Sequence, residues 1–351
     1  MRYKTREINF AKFLALSRFA ISFQRLPWRL LNRVFQIGIT LLLLVVLYTE
    51  LSKRDQLSVL FNQFLIQVKQ ADLLWLFATL ILLPFNWFME AYKWRYFMQR
   101  YEPVSLKRAY AAVMVGVTFS LITPNRIGEF GGRLLFVQRV HQWKSISSNA
   151  VGGAAQYLVL LTGGLIGAGW LVNRLWTPQF WWPWLEACVV ISLGLFYYFY
   201  FNPGRVLPIL KKLTQVKWFA SAASGLQLVE QLKTRDLWII LSWSAIRYLI
   251  YTTQYYFMLR FFGIKTDIWA AFSGISFIFM IQTILPVPAF AGLLLRGNLA
   301  VFVWSYFKAP EISSLASTFL LWIINLILPA LVGTFLMFNV NISKTLGYEE
   351  E

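Results

Sequence analysis

Apolar runs long enough to cross a bilayer alternate with short basic stretches along most of this chain. They extend from about Val34 to Leu51, Ala71 to Met89, Ser148 to Leu175, Trp184 to Phe201, Leu237 to Phe257, Ile268 to Leu285 and Leu315 to Phe338. Each approaches or exceeds the roughly 17 to 25 residues that a helix needs to span a hydrocarbon core. Because only helices satisfy their own backbone groups in lipid outside a closed barrel, the pattern predicts an all-α polytopic membrane protein with about 7 to 9 membrane segments.

One stretch breaks the pattern. Ala109 to Ile122 is slightly too short to cross and leads into Ser120-Leu-Ile-Thr-Pro-Asn-Arg-Ile-Gly-Glu-Phe-Gly-Gly-Arg133. Pro124 lacks a backbone donor and disfavours helix at Thr123, so the helix is expected to break at depth. Arg126, Glu129 and Arg133 follow at spacings of three and four, which align side chains on one face of a helix beginning near Arg126. Gly128 lies at the break, and the pair Gly131 and Gly132 suits close helix packing. A plain solvated cytoplasmic loop is the alternative. Basic residues flank the stretch at Arg108 and Lys144, so residues 109–141 are expected to enter the membrane and return as a broken or re-entrant hairpin. The glycine-rich run that follows, with Gly153, Gly163, Gly164, Gly167 and Gly169, is expected to pack against this break.

A second break, Pro286-Val-Pro288-Ala-Phe-Ala-Gly292, precedes Arg296. Aligned on the prolines, the halves share a layout: a span ending in Tyr96-Phe-Met98 or Tyr256-Phe-Met258, a short loop, an apolar run, a break, an arginine and a long span. The offset is about 160 residues, and the single span between the copies predicts opposite orientations, an inverted repeat. The divisions are a basic arm at 1–33, a first membrane half at 34–201 with its hairpin at 109–141, and a cytoplasmic linker at 202–236. A second half at 237–340, with its hairpin at 268–307, and a tail at 341–351 complete the chain.

Composition and charge narrow the function. A chain of 351 residues that is 58% hydrophobic and 14% charged departs from soluble domains, where the charged share is roughly 25%. The net charge of +18 is dispersed between apolar runs, which fits positive-inside topology and anionic lipids and excludes a nucleic-acid stripe. The basic arm and linker place both termini in the cytoplasm. Cys188 and His141 are single and separate, so no metal centre, thiol pair or histidine triad is expected, nor any cofactor. Glu90 and Lys93 sit one turn apart beside Trp87 and Trp94, either as a head-group pair or as an interfacial anchor in an aromatic belt.

At Asn86-Trp-Phe-Met-Glu-Ala-Tyr-Lys-Trp94 and Thr123-Pro-Asn-Arg-Ile-Gly-Glu-Phe-Gly-Gly-Arg133 the chain resembles the transmembrane region of lysylphosphatidylglycerol synthases, the flippase-like membrane domain of multiple peptide resistance factors. Pro124, Arg126, Gly128, Glu129 and Arg133 match the family's pattern. In the second half Ala291 stands about where an acid would be expected. The resemblance implies a bacterial inner-membrane, multi-pass protein that moves lipids between leaflets, with no soluble aminoacyl transferase domain and hence no lysyl transfer of its own. The leading expectation is therefore a non-enzymatic flippase-like protein that binds an anionic, phosphate-bearing lipid, either a membrane phospholipid or an isoprenoid-linked lipid. Arg126, Glu129, Arg133, Glu90, Lys93 and Arg296 are the expected head-group residues, assisted by helix N-termini at the breaks. The alternatives are an integral-membrane lipid transferase and a noncatalytic scaffold for a separate envelope-synthesis enzyme.

Overall fold

The computed structural model describes residues 72–123, 127–175, 182–214, 222–285 and 289–338, with four helical positions between 62 and 69. The basic arm, the first expected span, the tail, Pro124, Arg126, Pro286 and Pro288 lie outside the described residues. Those residues form helices and no strands. Among the described residues three helices are long and apolar enough to cross a membrane, and a bent pair raises this to four.

The first helix, α1 (Leu74–Met98), runs nine residues beyond the expected end of its span. The expected span ends at Met89, just before Glu90 and Lys93, yet the helix buries both, together with Trp87, Trp94 and Phe97. A short turn leads to α2 (Leu106–Ile122), and after the break comes the seven-residue α3 (Gly128–Leu134). The long α4 (Gln142–Leu175) and α5 (Trp182–Phe201) complete the first half. Within the expected linker the chain is helical at α6 (Pro203–Thr214) and α7 (Ala223–Glu230), and α7 packs on α4.

The second half opens with α8 (Thr234–Phe261) and continues through α9 (Ile268–Ile284) and α10 (Ala289–Ser305). It ends in α11 (Glu311–Trp322), a π-helical turn at Ile323–Ile327 and α12 (Leu328–Met337). Pro329 offers no amide to the carbonyl one turn earlier, and a wide turn accommodates that missing bond.

The two hairpins begin alike. Helices α2 and α9 are each 17 residues long. Ser105 caps the first by accepting from the Arg108 amide at 3.2 Å, and Asp267 caps the second by accepting from the Ala270 amide at 2.9 Å. Such caps satisfy an amide that a helix start leaves open.

Packing is exchanged between halves: α2 lies on α12, and α9 lies on α4. The glycines of α4 at 163, 164 and 167 therefore meet α8 and the second hairpin, while α4 also packs on α3 of the first hairpin, as expected. A Cβ on Gly164 would come within 2.2 Å of Met280, and one on Gly167 within 2.6 Å of the Ser273 carbonyl. Reciprocally, a Cβ on Gly333 of α12 would approach the Met114 carbonyl of α2 to 2.1 Å. Helices α1 and α8 run antiparallel along their shared length. Tyr96 reaches Asp236 at 2.7 Å near one end, and Gln254 reaches the Thr79 carbonyl at 2.9 Å near the other.

Candidate functional site

Where α1 and α8 pack together, side chains of three helices converge on one carboxylate. Glu90 Oε2 accepts from Lys93 Nζ and from Arg247 Nη1, each at 2.9 Å. Its Oε1 accepts from Arg133 Nη2 at 3.0 Å. Both oxygens are thus held, and three cations share one acid. An exposed pair would contribute little, but removing one member of a buried group leaves an uncompensated charge.

Neutral side chains satisfy most remaining donors. Lys93 also donates to Ser244 Oγ at 3.1 Å on α8 and to Gln156 Oε1 at 3.4 Å on α4. Arg247 Nε donates to Asn86 Oδ1 at 3.0 Å, and its guanidinium lies 5.0 Å from the Trp87 ring. Asn86 Nδ2 in turn donates to Asn325 Oδ1 at 2.8 Å, which ties the π-helical turn to the network. Arg133 Nη1 donates to Asn149 of α4. Arg133 is 1% exposed and Lys93 2%, so these charges are enclosed by protein rather than facing lipid.

The α3 backbone carries Arg133 into this position because it lies almost in contact with α2. A Cβ on Gly132 would fall 2.6 Å from the Gly116 Cα, whereas one on Gly131 would meet nothing within 4 Å. Of the expected glycine pair, only Gly132 mediates the close approach. Helix α3 begins at Gly128, two residues later than expected, and the Gly128 amide donates to Thr123 Oγ1 at 2.7 Å. That amide is thus used within the break itself rather than presented to a ligand.

The expected site residues separate into three groups. Glu90, Lys93 and Arg133 come together. Glu129 is half-buried, with Oε2 3.7 Å from Arg133 Nη2, which makes Glu90 the closer carboxylate for that arginine. Arg296 sits on α10, which packs on α9 and α11, and is not among the cations that hold Glu90. Arg247, Asn86, Asn149, Gln156, Ser244 and Asn325 escaped sequence reasoning. A signal existed for Arg247, an ionisable residue inside an apolar span.

These features define a polytopic helical membrane protein with an enclosed polar centre between its halves. A model of the lysylphosphatidylglycerol synthase TM region matches residues 33–333. The chain belongs to that family. No curated protein and no solved structure matches it significantly. Family membership and the apolar helices together make it a multi-pass membrane protein of lipid modification or translocation.

Proposed function

We propose that this protein is an inner-membrane, flippase-like carrier that binds an anionic, phosphate-bearing lipid at the Glu90 network and passes it between leaflets. The observation that carries this reading is the half-used edge of Arg133. Its Nη2 donates to Glu90, while the neighbouring Nε is buried and has no hydrogen-bond partner among the described residues. A guanidinium presents Nε and Nη2 as a parallel fork, which suits two oxygens of a phosphate. Glu90 does not fill that fork, because its second oxygen is held by Lys93 and Arg247.

The antiparallel pairing of α1 with α8 supports two hairpins that enter from opposite faces, the arrangement of an inverted-repeat transporter. In this reading both termini and residues 202–236 face the cytoplasm. The protein acts by binding and exchange, and a separate enzyme of envelope synthesis supplies or consumes the lipid.

Binding decides the reading. Native mass spectrometry of the purified chain with phosphatidylglycerol and with diacylglycerol of equal chain length should retain the phosphate-bearing lipid preferentially. Arg133→Lys, which loses the fork but keeps the charge, should reduce that retention. Equal retention of both lipids, unchanged in Arg133→Lys, refutes it.

A further inference from the structure

We propose that Glu90 is a resident stand-in for the lipid phosphate, and that its displacement takes up one proton, so that lipid binding is coupled to protonation. The inference rests on the head-group reading above and adds to it the coupling ion.

Glu90 is the closest anion to all three cations of the network, at 2.9 to 3.0 Å. The charged groups that face it are Lys93 from its own helix, Arg133 and Glu129 from α3, and Arg247 from α8. From α4 the contributors are the neutral Asn149 and Gln156, and α8 adds the neutral Ser244. Beyond Glu90 and the more distant Glu129, these cations donate to neutral amides and a hydroxyl. A phosphate that enters must therefore take the cations from Glu90.

Two anions held by the same enclosed cations repel each other, and such a pair sheds the repulsion when one member takes a proton. A phosphodiester is a far stronger acid than a carboxylic acid, so the proton goes to Glu90. No covalent bond between heavy atoms changes. A proton from water joins one oxygen of Glu90, and the released Nη2 of Arg133 joins its Nε in a two-pronged contact with the phosphate. Arg247 and Lys93 then turn to the free lone pairs of the same two phosphate oxygens. The same carboxylate thus keeps the empty site charge-compensated and makes its filling sensitive to pH. An intramembrane acid that gains and loses a proton during turnover is the usual element of proton coupling in transporters.

The test uses the full chain in detergent with dioctanoyl phosphatidylglycerol as the probe. Binding that takes up one proton should weaken about tenfold for each unit rise in pH through the neutral range. Calorimetry in two buffers of different ionisation enthalpy should report the uptake of one proton per lipid bound. Glu90→Gln, which removes the competing anion, should bind the probe more tightly than the wild type and with no pH slope. Should that variant fail to fold, the wild-type slope and proton count decide. Binding that depends on Arg133 but takes up no proton overturns the coupling and leaves the head-group reading standing. Absence of binding at every pH, or binding indifferent to Arg133→Lys, overturns both.

Discussion

Neutralising Glu90 should destabilise the protein more than removing any one of its cations, and removing a cation as well should restore part of the loss. In Glu90→Gln, three cations lose the negative charge they approach at 2.9 to 3.0 Å, and one of its two acceptor oxygens becomes a donor. The nearest other carboxylate, Glu129, lies 3.7 Å from Arg133. Breaking a buried pair by deleting one partner costs about 3–5 kcal/mol, and here one deletion strands three groups. Lys93→Met removes one of three cations while Arg133 and Arg247 still hold Glu90. It leaves Gln156 and Ser244 without that donor, a loss of about 1–2 kcal/mol. The double variant strands two cations instead of three, so its loss should fall short of the sum by about 1–3 kcal/mol. Thermal or steric-trap unfolding of the four proteins in one detergent measures this cycle. Effects that add within about 0.5 kcal/mol would refute a shared buried network and reduce Glu90 and Lys93 to independent interfacial charges.

Further expectations concern packing and placement. Gly132→Ala should destabilise, by about 1–3 kcal/mol for overpacking against the Gly116 backbone, offset by up to about 1 kcal/mol of helix propensity. Gly131→Ala, with open space around it, should keep only the propensity gain, and equal melting temperatures for the two variants would contradict the α2–α3 contact. Helix α6 turns 78° from α5 and exposes Arg205, Ile209 and Lys212 on one face, which suits a helix lying at an anionic membrane surface. A fluorophore on Ile209→Cys in a Cys188→Ser background should be quenched by brominated lipid tails, and no quenching would place α6 in water. Gly204→Cys in the same background should react with an impermeant thiol reagent only from the cytoplasmic side, and labelling from the outside would invert the topology.

The elements most legible in the sequence were those fixed by local chemistry. Proline and glycine placed the first break, and α2 ends at Ile122, two residues before Pro124. The apolar runs placed α5 and α9 to within two residues, whereas α4 begins six residues before the expected Ser148. Charge misled the reading of α1, because Glu90 and Lys93 resemble an interface when viewed along one chain. Only the partner helices reveal that they are enclosed. The network's other half was illegible for the same reason: Arg247 joins Glu90 across 157 residues and Asn325 joins Asn86 across 239. No local spacing encodes such pairs. The destination of the glycine-rich helix was likewise a tertiary fact. Glycine marks where backbones can approach, and the exchange between halves determined that α9 and α8, rather than the first hairpin, fill that face of α4.

Whether the Glu90 network passes a phosphate-bearing lipid across the membrane is decided by leaflet exchange in vesicles containing the purified protein and a trace of head-group-labelled phosphatidylglycerol, read by chemical quenching of the outer leaflet. Exchange should be faster than in protein-free vesicles and slowed by Arg133→Lys, with the recovered lipid chemically unchanged. Exchange no faster than in protein-free vesicles, or recovery of a chemically converted lipid, would contradict passage by the network.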